Sequence, residues 1–147
     1  MIDAELAFTR ARFTDKDPAG DRIPGALDRM AQIGVTIDNV GPWFGGVQLR
    51  YFGPRPLIED NSVKSEATTL VNARVGYKIN KTFRIQADVF NLFNSKDHDI
   101  DYYYASCLRS ELGSAACPLG GGGTGVDDVH FHPVEPREFR VSLIAHF

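Results

Sequence analysis

The chain has 147 residues, of which 43% are hydrophobic and 24% charged, with a net charge of −3. Its length suits one domain, and its mild acidity, with Lys and Arg scattered singly, argues against a nucleic-acid partner. No apolar run reaches the roughly 18 residues of a membrane-spanning helix, but composition leaves open both a soluble β protein and a transmembrane β-barrel, whose lipid-facing and lumen-facing residues average out.

The first twelve residues carry Asp3 and Glu5 and lack a basic start followed by an apolar core, so they do not read as a signal peptide. Across residues 2–13, Ile2, Ala4, Leu6 and Phe8 alternate with Asp3, Glu5, Ala7 and Thr9, which predicts a strand. Residues 14–25 hold Asp15, Asp17, Pro18, Gly20, Pro24 and Gly25, the chemistry of a loop. Over 26–38, Leu27, Ala31, Ile33, Val35 and Ile37 share one face, with Arg29 the exception, opposite Asp28, Gln32, Gly34, Thr36 and Asp38. A tight turn at 39–42 leads to a strand at 43–53, where Trp43, Val47, Leu49 and Tyr51 alternate with Phe44, Gln48, Arg50 and Phe52. Gly53-Pro54-Arg55-Pro56 ends it, and a loop runs to about residue 65.

The cleanest alternation is 66–79, with Ala67, Thr69, Val71, Ala73, Val75, Tyr77 and Ile79 on one face. Asn80-Lys81 reads as a two-residue hairpin turn into a strand at 82–93. Residues 94–133 show no sustained period and read as a long loop, which marks function or counts against a compact soluble domain. In the last stretch, 137–147, Phe139, Val141, Leu143, Ala145 and Phe147 alternate with Glu138, Arg140, Ser142, Ile144 and His146.

The expected fold is therefore all-β, an antiparallel up-and-down meander of about six long strands. Its connections alternate long, short, long, short, long, and in a meander this puts every long loop at one end. Short turns at one rim and long loops at the other are features of transmembrane barrels. Eleven residues at roughly 3.3 Å each, tilted by about 45°, span close to 25 Å of apolar band. The charged rows, with Arg74, Lys78, Arg84, Asp88, Glu138 and Arg140, are then expected in the lumen, and aromatics near strand ends (Trp43, Tyr51, Tyr77, Phe83, Phe147) match interfacial girdles. A soluble sheet with one face on a core, using 94–133 as a ligand surface, explains the alternation equally well but the loop asymmetry less well. Six strands do not close a barrel, so the chain is expected to be part of a larger one or to assemble from several copies.

Three stretches carry a family resemblance. Val89-Phe90-Asn91-Leu92-Phe93-Asn94, Glu135-Pro136-Arg137-Glu138-Phe139-Arg140-Val141 and Asn72-Ala73-Arg74-Val75-Gly76-Tyr77 resemble segments near the end of TonB-dependent outer-membrane receptors. The resemblance spans essentially the whole chain and implies about the last six strands of a barrel of roughly 22. It implies a place in the outer membrane of a Gram-negative bacterium and energised uptake of a scarce ligand, such as an iron–siderophore complex, cobalamin or a glycan. The implied partners are outer-membrane lipid, the rest of the barrel with its plug, the inner-membrane energy-coupling protein reached through that plug, and the outer-membrane insertion machinery. Plug and earlier strands are absent from residues 1–147. The machinery would read an end signal formed by Phe139, Val141, Leu143 and the terminal Phe147.

Candidate sites are few. Asp97, His98, Asp99, Asp101, Tyr102, Tyr103 and Tyr104 combine acids with aromatics, which suits a cationic or sugar ligand, or else an interfacial collar. His130 and His132, near Asp127 and Asp128, alternate on one face but lack a third ligand at a diagnostic spacing, so no metal site is expected. Cys107 and Cys117 lie close together in one polar, Gly-rich stretch and suggest a local disulfide. The run of glycines at 120–123 is a linker, since no Lys-Ser/Thr follows it. No catalytic constellation or cofactor motif stands out, and the chain is not expected to be an enzyme.

Overall fold

The computed structural model describes residues 1–15 and 18–146; the end-signal position Phe147 lies outside them. Among the described residues there are eight strands and no helix. They are β1 (Ile2–Phe8), β2 (Arg29–Val40), β3 (Trp43–Phe52), β4 (Thr68–Lys78), β5 (Phe83–Phe90), β6 (His98–Ser106), β7 (Val126–Pro133) and β8 (Glu138–Ala145). Six of them form one antiparallel sheet in the order β1-β2-β3-β4-β5-β8, and β6 and β7 form a separate two-stranded sheet. The all-β meander is therefore as expected, and its sheet does not close on itself.

The register explains the alternation. Directly paired residues on neighbouring strands share a face, and the pairing runs Ile2, Val35, Val47, Ala73, Val89, Phe139 in an unbroken apolar row across all six strands. The next row is Ile37, Gly45, Val75, Ala87, Val141, and the one below it Val40, Trp43, Tyr77, Ile85, Leu143. The opposite face carries Thr36, Gly46, Arg74, Asp88, Arg140 in register, and beside it Asp3, Gly34, Gln48, Asn72. A slip by one residue would exchange the two faces, so the two surroundings fix the register.

Among the described residues little covers the apolar face, where Val71 alone is buried. Phe139, Val141 and Leu143 are 70%, 71% and 68% exposed, and the buried apolar side chains among the described residues are few: Pro56, Leu57, Val71, Cys117 and Val134. A soluble sandwich needs a second layer on this face, and none exists among the described residues.

The long connections meet at one end. The β1–β2 loop bonds the β3–β4 loop through Arg22 N to Glu59 O at 3.0 Å and Gly25 N to Pro56 O at 2.8 Å. That second loop reaches the β6–β7 hairpin through Arg55 Nη2, which donates to Asp99 O at 2.9 Å. At the other rim the short turns touch one another: Lys78 N donates to Pro42 O at 2.8 Å, and His146 N to Thr82 O at 2.9 Å. Trp43 and Tyr77 meet edge to face at that rim, with centroids 4.9 Å apart.

Three local expectations are corrected. The stretch 94–133 is not a structureless loop, since it contains β6 and β7 in antiparallel pairing. The turn after β4 is longer than Asn80-Lys81: β4 ends at Lys78, β5 begins at Phe83, and the Asn80 side chain accepts from Thr82 N and Phe83 N, both at 2.8 Å. The first strand stops at Phe8 because residues beyond it serve the loop, where Arg12 pairs with Arg22 in an isolated bridge.

Candidate functional site

The hairpin begins at a clasp. Asn91 and Asn94 both adopt left-handed backbone, φ 47° and 54°, which Asn tolerates better than most residues. This turns the chain sharply off the end of β5. The Asn91 amide donates to Ser95 O and to Glu135 O, both at 2.9 Å, and its Oδ1 accepts from Ser95 N at 2.8 Å. Asn94 Oδ1 accepts from Arg137 N at 3.0 Å. Two of the stretches singled out in the sequence thus lock together, so β8 can pair with β5 although a long excursion separates them.

The excursion is anchored to the sheet at its base. The Asp97 carboxylate accepts from Thr69 N at 2.6 Å, and Asp97 O accepts from Val134 N at 3.0 Å. His98 O accepts from the Thr68 hydroxyl at 2.5 Å. Above the base, the Asp101 side chain is 1% exposed and lies between His98 Nδ1 at 2.6 Å and Arg55 Nη2 at 3.5 Å. A buried carboxylate persists only when paired and bonded, and here the pair joins the hairpin to the β3–β4 loop.

The outer hairpin is built of stacked rings. His98 lies flat on Phe131 with centroids 3.6 Å apart, and Tyr104 on His130 at 4.0 Å. Tyr102 pairs with His130 in the ladder, while Tyr102 and Tyr104 are about half exposed, at 55% and 53%. At the tip Cys107 and Cys117 are bonded, with Cα atoms 5.7 Å apart.

The residues singled out in the sequence therefore divide. Asp97 and His98 hold the hairpin in place, Asp101 is the buried anchor, and Tyr102 and Tyr104 offer free aromatic faces. Tyr103, half-buried, faces the other way. Asp99 and His132 line a recess of about 310 Å³ between hairpin and sheet, with Asn72, Phe90, Glu138 and Arg140. His130 and His132 are not joined by a third ligand; among the described residues no group of three His, Cys, Asp or Glu side chains could hold a metal ion. Arg55 escaped notice because it sits between two prolines in a loop, and only the tertiary fold brings it to Asp101.

Below the recess the polar face of the sheet forms a charged wall. Arg74 Nε donates to Asp88 Oδ1 at 2.6 Å and Gln86 Nε2 to Asp88 Oδ2 at 2.8 Å. The Arg140 guanidinium lies over the Phe90 ring at 4.8 Å, and that of Arg84 over Phe44 at 5.8 Å. The Phe44 ring lies across Gly76, where any Cβ would fall 2.0 Å from it, so a larger residue there must displace the ring.

A single sheet with one bare apolar face, one charged face and all long connections at one rim is a wall segment of a transmembrane β-barrel. Residues 2–92 match the family described as TonB dependent receptor-like, beta-barrel. The chain belongs to this family. In fold, the structure is similar to the ferric-catecholate import receptor Fiu from Escherichia coli K12. Against the closed form the TM-score is 0.67 at 18% identity, covering 99% of this chain and 18% of the receptor. Against the open form it is 0.55 at 19% identity, covering 89% and 19%. The chain thus spans about a fifth of the receptor it resembles in fold.

Proposed function

We propose that residues 1–147 are the C-terminal portion of an outer-membrane receptor barrel that takes up a scarce ligand, such as an iron–siderophore complex, by energised transport. The observation that carries this reading is the register itself, which sets an uncovered apolar row against a charged row across six strands. On this reading the apolar face meets outer-membrane lipid and the Arg74–Asp88–Arg140 row faces the lumen. The rest of the barrel would pair with the free edges of β1 and β8, and a plug would link the lumen to the inner-membrane energy-coupling protein. Phe139, Val141 and Leu143, with Phe147, would form the signal read by the insertion machinery. The long-loop rim is then extracellular, and the hairpin offers Tyr102 and Tyr104, with Asp99 and His132 at its base, to ligand. An extracellular rim also suits the bonded cysteines, which persist in oxidising compartments.

The test uses the receptor that carries this segment, expressed in a Gram-negative host lacking its own siderophore receptors. It should fractionate with the outer membrane and import radioactive iron given as a ferric catecholate, and an uncoupler should stop the import. Replacing Tyr102 and Tyr104 together by Ala should weaken apparent affinity about tenfold. Recovery in the soluble fraction would overturn the reading. Membrane insertion with no iron uptake would keep the barrel and exclude the iron ligand.

A further inference from the structure

We infer that the lipid-facing side of β3, β4 and β5 carries a trough that holds one acyl chain of a phospholipid from the leaflet on the short-turn side. The inference rests on the membrane reading above, which places this face in hydrocarbon. The observation is a local run of small residues in an otherwise bulky surface. Gly45, Ala73 and Ala87 sit on three adjacent strands in two neighbouring rows. Around them stand Ile37, Trp43, Val47, Val75 and Val89, lining a depression of about 470 Å³. That volume lies within the roughly 300–1,000 Å³ usual for small-molecule sites.

The floor is enforced by the backbone. A Cβ on Gly45 would lie 2.4 Å from the Arg74 carbonyl oxygen, so β3 and β4 approach too closely there for a larger residue. One strand further along, β8 fills the corresponding rows with Phe139, Val141 and Leu143, which stand out from the sheet. The depression is thus confined to the middle strands.

Its position selects the occupant. The trough runs up to Trp43, which meets Tyr77 edge to face. Such a pair belongs at headgroup level, and Trp43 directly follows the short turn after Val40. A chain lying in the trough therefore points its headgroup toward the short-turn rim. The depression has no charged side chain on its apolar side, so it suits an alkyl chain and not a headgroup.

The experiment is native mass spectrometry of the whole receptor, extracted in mild detergent and delipidated stepwise, with phosphatidylethanolamine added back as probe. The wild type should keep one phospholipid through washes that strip the rest. Ala73→Leu and Ala87→Leu fill the trough and should each lower retention about tenfold. Ile33→Leu, on the same face but outside the trough, should leave it unchanged. Heat-modifiable migration on a gel checks that each variant is folded. A second measurement needs no substitution: a phospholipid with a photoactivatable acyl chain should label Ile37 or Val75 in preference to Phe139. Equal retention by all folded variants together with uniform labelling would mean annular lipid only and overturn the proposal. A receptor found in the soluble fraction would instead overturn the membrane reading on which it rests.

Discussion

The six-stranded sheet and the β6–β7 hairpin are both antiparallel, yet they are held by different physics. In the sheet the rows on one side are mostly apolar and those on the other mostly polar, because the two sides meet different media. In the hairpin the order is inverted: on β6 the buried side chain is the carboxylate of Asp101, and the rings of Tyr102 and Tyr104 are exposed. Its order comes from an ion pair, ring stacking, a disulfide and hydrogen bonds at its base. A difference in surroundings writes a period into the sequence; a set of specific contacts does not.

The sharpest way to break this comparison is to put one charge into each region. Val47→Arg places a guanidinium in the central apolar row and should destabilise the membrane-inserted barrel by about 2–4 kcal/mol, read by urea unfolding from vesicles. Tyr102→Arg on the hairpin should stay within about 0.5 kcal/mol of the parent in the same assay. Similar costs at both positions would mean that the two regions share one environment.

The clasp between them should be next in size. Asn91→Ala removes three side-chain hydrogen bonds and leaves a left-handed residue without its local support, for about 3 kcal/mol. Asn91→Gly relaxes the backbone but not the lost bonds, so it should recover only part of the loss. A full rescue by Gly would show that backbone conformation, and not the bonding to Ser95 and Glu135, holds β8 against β5.

Replacing both Cys107 and Cys117 by Ser should loosen the hairpin tip by about 2–3 kcal/mol, the loop-closure value for a short ring. The loss should be local: faster amide exchange in residues 106–126 with no change in the unfolding midpoint of the sheet. A lowered midpoint would mean that the tip supports the barrel wall.

The smallest effect concerns the β1–β2 loop. Arg12 donates to the Asp21 carboxylate at 2.6 Å, and this hydrogen bond holds the Asp21 carboxyl below its ordinary range. A lowered folded value gives stability that is present above the unfolded value of about 3.9 and is lost as pH falls through the folded one. Proteolysis within residues 9–28 should therefore rise below about pH 4, and Asp21→Asn should abolish the pH dependence while raising cleavage at neutral pH.

The sheet was legible because apolar spacing carries it. Val71, Ala73, Val75 and Tyr77 could be placed on one face without a structure, and the alternation of long and short connections predicted that the long loops share a rim. What stayed hidden depends on tertiary partners. Residues 98–106 have polar and aromatic side chains on both faces, so hydropathy shows no period, and nothing local reveals that Arg55 will neutralise Asp101. Asn91 and Asn94 stood out as part of a family pattern, but their left-handed turn and their grip on Glu135 and Arg137 emerge only when the chain returns. Of the candidate site, the aromatic run was visible, whereas the division of labour between anchors such as Asp97 and free faces such as Tyr104 was not.

The central claim is that β4 separates lipid from a watery lumen. It is tested most directly by nitroxide labels at positions 72, 73, 74, 75, 77 and 78, with Cys107 and Cys117 replaced by Ser and the receptor inserted in vesicles. The account predicts that positions 73, 75 and 77 contact oxygen dissolved in lipid and that 72, 74 and 78 contact a water-soluble relaxant, following the pleat. Equal access to the water-soluble agent at all of these positions would contradict it.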